Sequence, residues 1–158
     1  MKIRVEVNGQ ALEPDVHPGE TVMELLRRLG FVSVKDGCNH GDCGTCAVLL
    51  DGRAVTTCLL FAGQVDGGAI TTTEGLSGRE GLDPLQQAML DTGGVQCGYC
   101  IPGMLMSAVD LLSHNPDPSD RDIRVGLAGN LCRCTGYVKQ IEAVRAAADL
   151  LQGGDLDG

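Results

Sequence analysis

Charged and apolar residues alternate over residues 2–7, so a strand with one buried face opens the chain. Asn8 and Gly9 supply a two-residue hairpin turn, which predicts that residues 10–15 return as the second strand. A helix is expected over residues 22–29, with Thr21 placed to cap it and Gly30 to end it. Residues 36–46 are dense in Gly and Cys and read as a loop. A second hairpin, residues 47–50 and 53–56 around Asp51 and Gly52, and a strand over 70–73 complete a small mixed sheet packed on one helix.

The pattern changes in the second half. Residues 74–82 are polar and Gly-rich without periodicity, which marks a linker over 77–83. Beyond it a helix starts at Pro84 and stops at Gly93 and Gly94. Residues 102–114 carry Met104, Leu105, Ala108, Val109, Leu111 and Leu112 at helical spacing, until Asn115 and Pro116 break the run. Ser119, three residues before Asp122, caps a helix over 120–128, and the last helix covers 138–151. Four helices with short links make a compact bundle. The fold class is therefore α+β, with domains at 1–76 and 84–152 and a disordered tail at 153–158.

Each domain is near the size at which an apolar core alone is marginal, so a bound group that crosslinks the chain makes physical sense. Aromatic residues are too few to build the cores, which fall to Leu, Val, Ile, Met and Ala. Met89, Met104 and Met106 accordingly read as core filling rather than ligands. With 12 basic against 21 acidic residues and a net charge of −9, the chain repels phosphate backbones, and nucleic acid is not an expected partner. Residues 1–9 hold no apolar export segment, and no run is long enough to span a membrane. A cytoplasmic location follows as the expectation. There thiols stay reduced, and eight clustered cysteines point to metal rather than to disulfides.

The cysteines fall into two sets of four. Cys38, Cys43 and Cys46, followed by a distant Cys58, have the C-x4-C-x2-C…C spacing of a plant-type [2Fe-2S] site. Gly37, Gly41 and Gly44 allow tight turns that aim N–H groups at sulfur, and such donors raise a reduction potential. His40 in the same loop reads as a solvent-facing residue, because four thiols already suffice, and His17 and His114 read as surface or loop residues. The second set pairs Cys97 and Cys100 with Cys132 and Cys134, each pair at a turn before a helix whose N-terminus favours anionic sulfur. C-x2-C is shared with zinc sites and redox dithiols, but C-x-C fits a single tetrahedral ion poorly. Without any acid, base or nucleophile constellation between them, eight thiols describe an electron carrier.

Taken together, these motifs resemble the small iron–sulfur subunits of the molybdenum hydroxylases, the group of xanthine dehydrogenase, aldehyde oxidoreductase and carbon monoxide dehydrogenase. The resemblance spans residues 2–151. It rests on residues 37–46 (Gly-Cys-Asn-His-Gly-Asp-Cys-Gly-Thr-Cys), 96–103 (Gln-Cys-Gly-Tyr-Cys-Ile-Pro-Gly) and 130–137 (Asn-Leu-Cys-Arg-Cys-Thr-Gly-Tyr). It implies a β-grasp, ferredoxin-like domain followed by an all-α four-helix domain, with one [2Fe-2S] cluster in each. It also implies a large molybdopterin-binding subunit and a medium FAD-binding subunit, assembled as a dimer of heterotrimers. This chain would pass electrons between them and hold no substrate site of its own. By motif position, Cys134 is an iron ligand next to the pterin and Gln96 a hydrogen-bonding partner of the pterin cofactor. Tyr99 stands where Phe is commoner, Ile101 where Ser or Thr is often found, and Asn39 with His40 is an unusual filling of the first loop. The reading from another class is a free-standing two-cluster ferredoxin-like carrier. A zinc-stabilised interaction module would lack colour.

Overall fold

The computed structural model describes residues 1–78 and 81–153; parts of the expected linker and tail lie outside them. Alternation at the N-terminus buries Ile3, Val5 and Val7 on one face. Strand β1 (Val5–Val7) pairs antiparallel with β2 (Gln10–Leu12) through a turn in which Asn8 and Gly9 both adopt positive φ. Both strands are shorter than expected. Pro14 has no N–H to donate, so the regular ladder ends at Leu12, and the pairing beyond it is an isolated Lys2–Asp15 bridge flanked by the Ile3 N–H to Pro14 C=O and Val16 N–H to Met1 C=O bonds.

Helix α1 (Val22–Arg28) begins with the expected cap: Thr21 accepts from the Glu24 amide, and the Glu24 carboxylate accepts from the Thr21 amide. Strands β3 (Ala47–Leu50) and β4 (Arg53–Thr56) form the second hairpin, and β5 (Ala69–Thr71) runs parallel to β1 and antiparallel to β3. The sheet order is β2-β1-β5-β3-β4. β5 stops at Thr71 because the Thr72 amide leaves the ladder and donates to Asn8 Oδ1 at 2.8 Å. Met23, Leu25 and Leu26 of α1 share one core with Val5, Val7, Val48 and Ile70 of the sheet. This is the ferredoxin-like layer of sheet on helix.

The helical half contains α2 (Pro84–Asp91), α3 (Ile101–His114), α4 (Asp120–Gly126) and α5 (Val138–Leu151). Its core takes Leu85 and Met89 from α2, Leu105, Met106 and Ala108 from α3, Ile123 from α4, and Ile141, Val144 and Ala147 from α5. Met89, Met104 and Met106 are fully buried, as core filling requires. The period of two in β3 joins the halves: Cys46 and Val48 face the N-terminal core, while Ala47 and Leu49 pack with the helices. The sheet is thus a wall common to both cores.

Glu74 ties the end of the sheet to the loop after α1. Its carboxylate accepts from the Ser33 amide at 2.9 Å, from the Ser33 hydroxyl, and from the Thr72 hydroxyl at 2.5 Å. Partial burial pushes this carboxyl up, but the Ser33 and Thr72 donors outweigh it and hold it below the ordinary value. A depressed value stabilises the fold above the unfolded value of about 4.3 and stops doing so as pH falls through the folded one. Glu74→Gln should therefore cost about 1 kcal/mol at pH 7 after allowance for solvent screening. Urea midpoints of the two proteins should converge as the pH falls below about 4.

Candidate metal centres

The register of the second hairpin builds the first centre. Ala47 lies opposite Thr56, so Cys46 comes against Thr57, whose hydroxyl donates to the Cys46 carbonyl at 2.7 Å. A single 3₁₀ turn, Thr57–Leu59, then delivers Cys58 to the same place. The loop before β3 supplies Cys38 and Cys43, folded back by positive φ at Asn39, Gly41 and Gly44. The thiols meet two by two: Cys38 adjoins Cys43, and Cys46 adjoins Cys58. The first pair is partly exposed and the second is buried.

Backbone donors converge on the first pair. The amides of His40 and Cys43 lie 3.5 and 3.4 Å from Cys38 Sγ, and Thr45 Oγ1 lies 3.2 Å from Cys43 Sγ. Those two amides pull the Cys38 thiol down to about 6, which leaves it a thiolate at neutral pH. Burial, together with the neighbouring Cys46, pushes Cys58 up to about 11. A cationic metal core would reverse that second shift by stabilising the thiolate.

The second centre lies at two helix N-termini. Cys97 and Cys100 precede α3, and Cys132 and Cys134 precede α5. Helices α1, α2 and α4 each carry a capping box, whereas the caps of α3 and α5, Cys100 and Tyr137, make no side-chain bond to the helix amides. Their free N–H groups and positive dipole ends are left for anionic sulfur. Here too the thiols pair, buried Cys100 with half-buried Cys132 on the inner side and Cys97 with Cys134 at the surface.

Around the inner pair is a polar network that the cysteine spacing did not announce. Thr135 Oγ1 lies 3.0 Å from Cys132 Sγ and 3.1 Å from Gln140 Oε1, and Gln140 Nε2 donates to Cys100 Sγ at 3.7 Å. Burial raises the Cys132 thiol, but the hydroxyl and amide of Thr135 outweigh it and leave it at about 7. Cys100, more deeply placed and beside Cys132, rises to about 11. Gln140 had one sequence signal, a polar side chain among the apolar positions of α5, where it is fully buried.

Among the described residues no three of His, Cys, Asp and Glu converge on one ion-sized point. Two pairs side by side instead match a core with two irons, each taking two thiolates, and the inward N–H and O–H groups suit its negative charge. Gln96 is exposed and adjacent to Cys97, His40 is exposed in the first loop, and Ile101 packs against the helical core. The Tyr99 hydroxyl, which phenylalanine would lack, donates to the Asp36 carbonyl at 2.5 Å and ties the second loop to the first. Exposed Tyr99, Leu131 and Val138 share the loops of Cys97 and Cys134, and exposed Leu59 and Phe61 follow Cys58.

Residues 5–70 match the family described as 2Fe-2S iron-sulfur cluster binding domain, and residues 72–145 match the [2Fe-2S] binding domain family. The chain is 47% identical to the nicotinate dehydrogenase small FeS subunit of Eubacterium barkeri, over 93% of this chain and 94% of that protein. It is 42% identical to the iron-sulfur-binding subunit of xanthine dehydrogenase from Escherichia coli, over 90% of this chain and 91% of that protein. Its backbone superposes on a chain of quinoline 2-oxidoreductase from Pseudomonas putida 86 with a TM-score of 0.92 at 38% identity, covering 98% of both chains. With both halves matched in order and the relatives covered nearly end to end, the chain belongs to the small iron–sulfur subunits of the molybdenum hydroxylases, electron-transfer subunits that carry two [2Fe-2S] clusters.

Proposed function

We propose that Cys38, Cys43, Cys46 and Cys58 hold one cluster and Cys97, Cys100, Cys132 and Cys134 the other, with the division into domains falling over residues 77–83. The observation that carries this reading is the repeated geometry: in each quartet one thiol pair lies deeper than the other, and polar groups point in at the sulfurs. Bound there, the clusters supply one-electron acceptors and donors. The chain's own residues fix their place, shield the inner thiols and set their potentials through Thr45, Thr135 and Gln140.

The exposed pair, Cys97 and Cys134, marks where electrons enter from a large subunit carrying the molybdopterin cofactor, with Gln96 placed to hydrogen-bond the pterin. Exposed apolar side chains beside it, Tyr99, Leu131 and Val138, support burial against that partner. Leu59 and Phe61, beside the first quartet, support a second contact, with a medium subunit carrying FAD. No acid, base or nucleophile is assigned a reaction on this chain, so the chemistry on substrate belongs to the large partner. The assembly would be a dimer of heterotrimers in the cytoplasm; among the described residues no helix is long and apolar enough to cross a membrane. The free-standing carrier is the weaker reading, since the relatives matched over most of their length are named as subunits.

An anaerobic affinity purification of the tagged chain from its own host tests this. Co-elution of a large and a medium chain with molybdenum, FAD and two distinct [2Fe-2S] EPR signals is the expected result. A lone chain with both signals and no molybdenum would assign it to the carrier class.

A further inference from the structure

We propose that the amide of Asn130, held by the Gly44 and Gly103 carbonyls and by Ser107, is the positioning element that sets the distance between the two clusters; this rests on the ligand assignment above. Asn130 is 3% exposed, although a polar side chain at that depth needs partners. It finds three. With its oxygen accepting from Ser107 Oγ at 2.7 Å, its NH₂ group donates to the Gly44 carbonyl at 3.3 Å and to the Gly103 carbonyl at 3.2 Å. The opposite orientation would face the amide oxygen against those two carbonyls, which can only accept, so the carbonyls select the productive one and the Ser107 hydroxyl donates to the oxygen that is left.

Each segment at this junction carries a proposed iron ligand. Gly44 follows Cys43, Gly103 is three residues beyond Cys100, and Asn130 is two residues before Cys132. The main chains are in direct contact: a Cβ on Gly44 would lie 2.3 Å from the Gly129 carbonyl, and one on Gly103 would lie 2.1 Å from the Gly44 carbonyl. Beside them the Leu131 amide donates to the Cys43 carbonyl at 2.9 Å, so one hydrogen bond separates a ligand of the first centre from the residue next to a ligand of the second. Electron tunnelling falls exponentially with distance, and a junction that locks three ligand-bearing segments together therefore controls exchange between the centres.

The test uses the full chain, purified anaerobically with both clusters, reduced by dithionite and examined by pulsed EPR for the dipolar splitting between the two reduced clusters. Asn130→Asp keeps the shape but turns a carboxylate oxygen toward the Gly44 and Gly103 carbonyls. We expect iron content and both individual signals to stay, with the splitting shifted to smaller values and spread more widely. Ser107→Ala, which removes the donor to the amide oxygen and so loosens the anchor of the junction, should broaden the splitting in the same direction and is read if the aspartate variant loses its clusters. A splitting unchanged in position and width, in Asn130→Asp with full iron or otherwise in Ser107→Ala, overturns the positioning role. A wild-type chain without two [2Fe-2S] signals would instead overturn the ligand assignment.

Discussion

Cys134→Ala is expected to lower the iron of the purified chain by about half and to erase one of the two [2Fe-2S] EPR signals, leaving the other unchanged. Cys134 is exposed and adjoins Cys97, so removing its sulfur leaves no cavity in the core and tests ligation rather than packing. Its loss leaves Cys97 without a partner on the outer side while Cys100 and Cys132 remain paired inside. The three thiolates that remain leave one of two irons a ligand short. The first quartet is built by the loop before β3 and the turn after β4, and one hydrogen bond, from the Leu131 amide to the Cys43 carbonyl, links it to the second. Nothing in Cys134→Ala touches that link. Cys38→Ala, at the more exposed pair of the first centre, should give the mirror result. Equal loss of both signals in either variant would contradict two independent quartets.

The fold was legible because it depends on local spacing, and the proposed ligand sets rest on spacing of the same kind. C-x4-C-x2-C needs only one tight loop, and the helical runs of α3 and α5 show their period within a few turns. What escaped the sequence depends on chain segments that meet late. The pairing of Cys100 with Cys132 rather than Cys134 follows from how α3 and α5 approach, which no spacing encodes. Asn130 and Ser107 lie 23 residues apart, and Tyr99 and Asp36 lie 63 apart, so neither contact leaves a local mark. The sheet was expected to pack on one helix, yet both faces of β3 are buried because Ala47 and Leu49 serve the helical core. Strand ends differ from the expected ones where side chains compete for the ladder, as Asn8 does for Thr72 and as Pro14 does by lacking a donor.

Gly103→Ala sets two effects of opposite sign against each other. In a helix interior alanine is favoured over glycine by about 1 kcal/mol, so propensity alone predicts a more stable protein. Gly103 is in the first turn of α3, where that gain is smaller still. Against it stands the Gly44 backbone: the new methyl would lie 2.1 Å from the Gly44 carbonyl oxygen and 3.0 Å from its carbonyl carbon and from Thr45 Cα. These are main-chain atoms, with no rotamer to turn away. Relief needs α3 and the first cysteine loop to part by about 1 Å, given ordinary contact distances of about 3.5 Å. That movement pulls on the Asn130 bonds to both glycines and on the packing of Ala47 and Leu49 against the helical core. Overpacking of this kind costs about 1–3 kcal/mol, and loosened hydrogen bonds add to it, so sterics win. A net loss of about 3 kcal/mol lowers the thermal midpoint by about 6–12 °C for a chain of this size. Gly63→Ala is the control, because its added methyl would meet nothing closer than the flexible Met1 side chain at 3.8 Å. Circular dichroism melts of both should separate them, with Gly63→Ala close to wild type. A Gly103→Ala protein as stable as wild type would mean that the two halves are not locked at Gly44, and that the first loop yields without resisting.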